Sequence, residues 1–339
     1  MNHDPGEVAR GVAARWPDSL CVGCTTMGEI GPLGLTQGGI SALALPPPAR
    51  AAAVFADSRV GFADGERLAE ALAGALGHIP AALDPERHVL VTLTDGLSGA
   101  EERLVAALGL VLPRVQLIGG SAGDDFRMQR TWVHLNGEAR PGAAVVTLLE
   151  PGLPMSAFAV HHYQPGERRV VVTAAEPSRR RVLELDGWPA REVMAELLEV
   201  PVETLAAHPE LPAERELAFA YAIGDDLFLR SVMHVDGDAL VMGGAVEEGV
   251  VLRVVHGGDL VEATRAGVQE ALARLPGAPG GMLLFSCGGR LRAAQRKKQV
   301  EALYEAMAQA PMAGFSTYGE QFGPLQINQT LTGLAIGRP

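Results

Sequence analysis

Val89-Leu90-Val91-Thr92-Leu93-Thr94-Asp95-Gly96 opens a unit that this chain uses twice. The apolar run Val89 to Leu93 reads as a buried strand and Asp95-Gly96 as a turn. Ala100 to Leu110 then reads as a helix. Ser98 is its expected N-cap, and Glu101 and Glu102 fall in the first turn, where the helix dipole favours acids. Beyond Pro113, Val115 to Ile118 reads as a second buried strand. It runs into the glycine loop Gly119-Gly120-Ser121-Ala122-Gly123-Asp124. The same order recurs from Met282 to Glu320: strand, Gly288-Gly289 turn, helix, Pro311, strand, glycine-serine loop. A shorter echo lies near the start, where Gly23-Cys24-Thr25-Thr26-Met27-Gly28-Glu29 matches Gly314-Phe315-Ser316-Thr317-Tyr318-Gly319-Glu320.

Working outward, Ile40 to Leu45 reads as an early strand ended by Pro46-Pro47-Pro48. Thr131 to Leu135, the turn Asn136-Gly137 and Ala143 to Leu149 read as a hairpin. Met155 to Leu185 is rich in β-branched residues and reads as further strands, Trp188 to Val200 as a helix, Ala218 to Val255 as a strand meander, and Leu260 to Leu275 as a helix. The expected fold is mixed α/β (α+β), with two related lobes of β-sheet and flanking helices. The first lobe is placed at 20–215, its end falling within 150–215, and the second at 216–337. Ligands in such sheets gather at the carboxyl ends of strands, so the glycine loops are the expected pocket.

Composition narrows the function classes. A net charge of -12, from 28 basic and 40 acidic residues, disfavours nucleic acid as a partner. The basic cluster Arg290 to Lys298 falls on the predicted helix and reads as a solvated face. Three cysteines are too few for a secreted disulfide scaffold and suit a reducing compartment. Met1 to Arg10 lacks an apolar signal core, and no apolar run approaches the ~20 residues that span a bilayer. The expectation is a cytoplasmic protein with no membrane and no nucleic-acid partner.

Catalytic and metal motifs are weak. Gly119-Gly120-Ser121-Ala122-Gly123 has the nucleophile-elbow form, but Asp124 to Arg127 lead into a hairpin where that motif needs a helix. Cys21-Val22-Gly23-Cys24 runs along a strand into a loop and has no second ligand pair, so the cysteines read as core or loop residues. No Walker loop and no helix-opening Gly-x-Gly-x-x-Gly occurs. Among nine histidines, His161-His162-Tyr163 ends the strand of Phe158, Ala159 and Val160. Neighbouring strand residues face opposite ways, so one of the two histidines can enter a given pocket. Neutral imidazole is a common ligand of haem iron.

The C-terminal run Gly314 to Phe322 followed by Asn328-Gln329-Thr330-Leu331-Thr332-Gly333 resembles the closing motif of the FIST domain. Ser286-Cys287-Gly288-Gly289-Arg290, the Gly23 to Glu29 loop and the Gly119 to Asp124 loop match further motifs of that family in order, so the resemblance spans roughly Leu20 to Gly337. Asp95-Gly96-Leu97-Ser98 with Glu101-Glu102, the His161-His162-Tyr163-x-Pro165 cluster and Arg230-Ser231-Val232 resemble its nitric-oxide sensing branch (NosP). The chain departs from that branch at Leu325-Gln326-Ile327, where the resemblance would place a histidine.

The resemblance implies a sensor and no catalysis. The first expectation is a haem b protein with His161 or His162 as axial ligand. It would bind nitric oxide and be read by a separate histidine kinase, diguanylate cyclase or phosphodiesterase, with a homodimer as the assembly considered. The second is a sensory module for a small polar metabolite such as an amino acid, without haem. Arg290, Glu320, Asp124 and Asn328 would then line the pocket, Arg290 pairing with any carboxylate. The third is a hydrolase using Ser121 or Cys287.

Overall fold

The computed structural model describes residues 3–57 and 60–338, the side chain of residue 62 excepted. Val89–Thr94 pairs in parallel with Gln116–Ser121, and the helix Glu101–Val111 crosses between them. Pro279–Cys287 pairs in parallel with Met312–Thr317, the crossover being made by the helices Gly288–Lys297 and Val300–Met307. Each pair is the centre of a six-stranded sheet. The first sheet runs in the order Arg50–Asp57, Ala143–Glu150, Val89–Thr94, Gln116–Ser121, Glu320–Phe322, Leu325–Ile327. The second runs Met155–Val160, Leu331–Gly337, Pro279–Cys287, Met312–Thr317, Glu29–Gly31, Gly34–Thr36.

The two sheets match strand for strand, and the match exposes an exchange. The hairpin 29–36 comes from the first half of the chain and closes the second sheet. The hairpin 320–327 comes from the second half and closes the first. Each lobe is therefore completed by the other, and the repeated Thr-x-Gly-Glu sequences mark the two crossing points.

Alternation along the strands sets the layers. Val89, Val91, Leu93, Ile118 and Val145 point inward and meet Phe285, Phe315, Leu334 and Ile336 of the second sheet. The rings of Phe285 and Phe315 meet edge to face at 5.4 Å. Leu90, Leu117 and Leu148 point outward, under Leu72, Leu104 and Leu108 of the flanking helices. Met282, Leu284 and Met312 similarly carry Val268, Ala293 and Leu303. The result is a helix–sheet–sheet–helix sandwich. Gly120 sits where the sheets come closest, since a Cβ there would lie 2.7 Å from Thr317 Cγ2 and 2.9 Å from Phe285 Cδ1.

Residues 163–257 form a separate unit at the side of the sandwich. Tyr163–Glu176, Val251–Gly257, Leu217–Ile223, Asp226–Asp236, Ala239–Met242 and Arg181–Leu185 pair in that order, and Arg181–Leu185 pairs back onto Tyr163–Glu176. The sheet therefore closes on itself as an antiparallel barrel, which removes its open edges. Val170, Val172, Phe219, Val232 and Leu252 fill it, together with Val193, Met194 and Leu198 of the helix Ala190–Leu198. A division at 215/216 runs between strands of this barrel.

Several elements differ from the sequence reading. Ile40 to Leu45 forms no strand: no neighbouring strand is there to pair with, and Ile40 is 62% exposed. Asn136-Gly137 makes the expected left-handed turn, with φ of 47° and 88°, but it joins Val133–Leu135 to Glu138–Arg140. Ala143–Glu150 is taken instead by the two neighbours it meets in the first sheet. Ser98 does not cap the following helix; its hydroxyl donates to the carbonyl of Asp95 at 2.8 Å. Gly119 to Ser121 lie inside a strand, with Ser121 at its end. No helix among the described residues is long and apolar enough to cross a membrane.

Candidate functional site

Strand Pro279–Cys287 ends at the sandwich edge, and Cys287 is the N-cap of the helix Gly288–Lys297. Two glycines let the chain turn there without side chains. A Cβ at Gly288 would lie 2.1 Å from Met27 Cε, and one at Gly289 would lie 2.4 Å from Gln329 Nε2. The turn aims Arg290 inward, so the predicted solvated face fails at its first member: Arg290 is 0% exposed and the largest fully buried side chain among the described residues. Its Nη2 donates to Thr264 Oγ1 at 2.6 Å, and Thr264 donates in turn to the carbonyl of Leu260 at 2.6 Å. Nε and Nη1 are buried with no hydrogen-bond partner. Burial lowers the guanidinium to about 10, against the pull of Glu320, so it remains a cation at neutral pH.

Glu320 is held as Glu29 is held, through the repeat. Thr26 Oγ1 donates to Glu29, three residues on, at 2.8 Å, and the Gly39 amide, ten residues on, donates to the other oxygen at 3.0 Å. Thr317 Oγ1 donates to Glu320, and the Thr330 amide donates to its other oxygen at 3.2 Å, at the same separations of three and ten. Both glutamates pin their loops. Glu320 is wholly buried, and burial pushes its carboxyl up to about 8 despite those bonds and Arg290. Burial likewise pushes the neighbouring Cys287 thiol up to about 12. Burial thus opposes ionisation of both the carboxyl and the thiol beside the Arg290 cation.

Glu320 therefore has a pH signature. The folded carboxyl keeps its proton after the unfolded one, at its ordinary 4.5, has lost it. Its contribution to stability is full below about pH 4.5 and is lost as pH rises through about 8. Glu320→Gln is expected to flatten that part of the stability–pH profile, as measured by urea unfolding at pH 5, 6.5 and 8. A variant with the same slope as the parent would refute the assignment.

The two histidines differ. His162 is 0% exposed, its Nε2 lies 3.0 Å from Glu216 Oε1, and Lys297 holds the other oxygen of Glu216. Burial lowers His162, leaving it neutral. Burial raises Glu216, but His162 and Lys297 overcome this and hold it at about 2. The trio ties the edge strand of the second sheet, the barrel and the end of the Arg290 helix. His161 is partly buried, with Nδ1 enclosed and unpartnered, and burial and then Arg290 lower its pKa.

A porphyrin needs a flat, largely apolar slot beside an accessible imidazole nitrogen. His162 has spent Nε2 on Glu216, its Nδ1 is enclosed, and Tyr163 stacks against it at 4.6 Å. His161 lies under the influence of the Arg290 cation, and its Nδ1 is enclosed. Surface clefts of about 560 and 420 Å³ lie elsewhere, lined by residues such as Arg10 and Trp132, or Asp95 and Arg103. As arranged here, His162 does not fit a haem iron, and neither of these clefts is lined by His161.

Of the other expected ligand residues, Asp124 accepts from the amides of Met128, Gln129 and Arg130 at 2.7–2.9 Å and from the Tyr318 hydroxyl. Burial raises it, but these bonds outweigh burial and hold it below the usual carboxylate range. Asn328 donates to the Gly243 carbonyl at 3.2 Å, toward the barrel, and its Oδ1 is buried and unpartnered. Arg290 and Glu320 are thus brought together, while Asp124 is engaged by its own loop and Tyr318, and Asn328 is turned toward the barrel.

The FIST N domain matches residues 1–188, and the FIST C domain matches residues 190–323. The chain belongs to the FIST family. No curated protein matches it. FIST domains are sensory modules for small ligands, and the two lobes of this FIST chain frame its buried arginine in that setting.

A second polar cluster of the FIST chain joins barrel to sandwich. Arg180 Nη2 donates to Glu101 at 2.8 Å and to Glu102 at 3.2 Å; Arg230 donates to the carbonyls of Ala245 at 3.2 Å and Gln326. Glu101 also accepts from Ser121, whose hydroxyl is shared with Thr94 and Gln321. Arg180 is the middle of three consecutive arginines, Arg179 to Arg181, and Thr264 is one threonine in a helix. Neither carries a local signal, because each acquires its role from a partner more than 25 residues away.

Proposed function

We propose that this FIST chain is a sensory module for a small metabolite bearing a carboxylate, such as an amino acid, with Arg290 as the anchor. The observation that carries the reading is the wholly buried guanidinium with two unpartnered nitrogens. A buried cation with unmet donors is costly, and a carboxylate within reach of Nε or Nη1 would supply both a countercharge and an acceptor. The ligand would reach the barrel through the Arg290 helix, whose last residue, Lys297, holds Glu216 and through it His162. Such a linkage could bias a two-state surface read by a separate signalling enzyme, a histidine kinase or a cyclic-di-nucleotide enzyme.

Thermal unfolding with a panel of amino acids and small mono- and dicarboxylates tests the reading. Binding the native state alone adds about 2.7 kcal/mol at a hundred times Kd. At least one carboxylate should raise Tm, while its amide or ester should not. No shift across the panel, together with a Soret band on adding haem that moves under nitric oxide and disappears in His161→Ala, would replace this reading with the haem sensor.

A further inference from the structure

At the opposite end of the first sheet from the glycine loops, His78 follows the helix Phe62–Ala75, His88 precedes the strand Val89–Thr94, and Glu150 ends Ala143–Glu150. The register sets Val89 opposite Leu149, which brings His88 beside Glu150. One ligand atom from each of His78, His88 and Glu150 lies within 4.8 Å of the others. His88 is 2% exposed, and the Nε2 atoms of both histidines are buried with no hydrogen-bond partner. The rings meet edge to face at 5.0 Å.

We propose that His78, His88 and Glu150 bind a divalent metal ion of the zinc class. Three features support this. Two imidazole nitrogens and a carboxylate are a donor set that zinc takes, with a fourth position left for water. His88 Nδ1 lies 3.0 Å from the carbonyl of Asp84. Nδ1 also lies 3.0 Å from the Asp84 amide, so the backbone of Asp84 fixes the ring; in the tautomer that donates to the carbonyl, Nε2 presents its lone pair, the usual outer support of a metal-bound histidine. Neither buried Nε2 has a hydrogen-bond partner, and His78 Nε2 stops 3.8 Å short of Glu150 Oε2, too far for a hydrogen bond but close enough to share a cation.

Two further charges face the group. Arg87 donates to Glu150 Oε1 at 2.7 Å and Arg50 to Oε2 at 3.1 Å. Their side chains are 66% and 53% exposed, so either can turn to solvent at small cost when the ion enters. A tetrahedral site with arms of about 2.0–2.1 Å holds its ligands about 3.3 Å apart, so the cluster must tighten. His78, on the short connection after its helix and 28% exposed, is the ligand free to close. The ion would staple the helix end, the 84–88 turn and two strands of the first sheet, remote from Arg290.

The test uses the untagged full chain, stripped with a chelator and titrated with zinc by calorimetry, and with cobalt(II) to read coordination from its visible spectrum. One equivalent is expected, with tetrahedral cobalt bands and a zinc-dependent rise in Tm. His78→Ala, which leaves the core untouched, should weaken binding roughly a hundredfold while the unfolding of the metal-free protein stays as in the parent. Failure to take up either ion would overturn the site. Uptake that survives His78→Ala but is lost in Cys21→Ser/Cys24→Ser would also overturn it, by moving the ion to the cysteines.

Discussion

Arg290→Met is expected to raise the Tm of the ligand-free protein and to abolish its response to ligand. The two effects have one cause. Without ligand the guanidinium is fully buried, holds one hydrogen bond, and leaves two donors unmet. Methionine keeps the length of the stem and removes the buried charge. Replacing buried ionic groups with apolar ones of similar volume commonly gains about 1–4 kcal/mol. With ligand, the same substitution deletes the cation that pairs with the carboxylate. Losing one partner of a buried charge pair costs about 2–5 kcal/mol, roughly thirtyfold or more in Kd. Arg290→Lys separates charge from shape: it keeps the cation and loses the fork, so binding should be weakened but present. Calorimetric titration with the best carboxylate of the panel, beside thermal unfolding without it, reads both effects. A ligand-free Arg290→Met protein that is several kcal/mol less stable would show that Arg290 is a structural arginine, and the sensor reading would lose its anchor.

Arg180→Ala should be the most destabilising single change at the join of barrel and sandwich, at about 3–5 kcal/mol near neutral pH. Glu101 is 1% exposed, and Arg180 is its charged partner at 2.8 Å. Burial already raises Glu101, and Arg180 is the main influence pulling it back down. Without the arginine the folded carboxyl rises further and keeps its proton where the unfolded one has lost it. A raised folded pKa makes stability greatest at low pH, so the penalty of the variant should be large at pH 8 and shrink toward pH 5. Adding Glu101→Gln should recover part of the loss, a coupling that a double-mutant cycle measures. A loss below about 1 kcal/mol, or one independent of pH, would show that the barrel is held by packing alone.

The legible part of this protein lay in its repeats and its apolar periodicity. The continuous runs Val89 to Leu93 and Val115 to Ile118 could only be strands covered on both faces, and the structure covers them with helices on one side and a second sheet on the other. The duplicated unit predicted two related lobes, and both lobes are present. Arg290 and Glu320 came to attention together through the family resemblance, whereas the basic run by itself put Arg290 on a solvated face. Asp124 was legible as important, but the motif does not say that its carboxylate is consumed by three amides and a tyrosine. Ile40 to Leu45 shows the limit of pattern: an apolar run becomes a strand only where a neighbour offers its backbone.

By itself, then, the sequence determined the local elements and the duplication, since these rest on side-chain periodicity and turn chemistry within about 40 residues. The tertiary structure alone decided three things. It exchanged the hairpins 29–36 and 320–327 between the sheets, closed residues 163–257 into a barrel, and buried Arg290 with two of its nitrogens unmet. Each depends on which distant backbone or acceptor arrives beside a given residue. Strand pairing is set by edges that become available only as the chain collapses. A buried guanidinium acquires its meaning from the partner it lacks, and no local spacing records that.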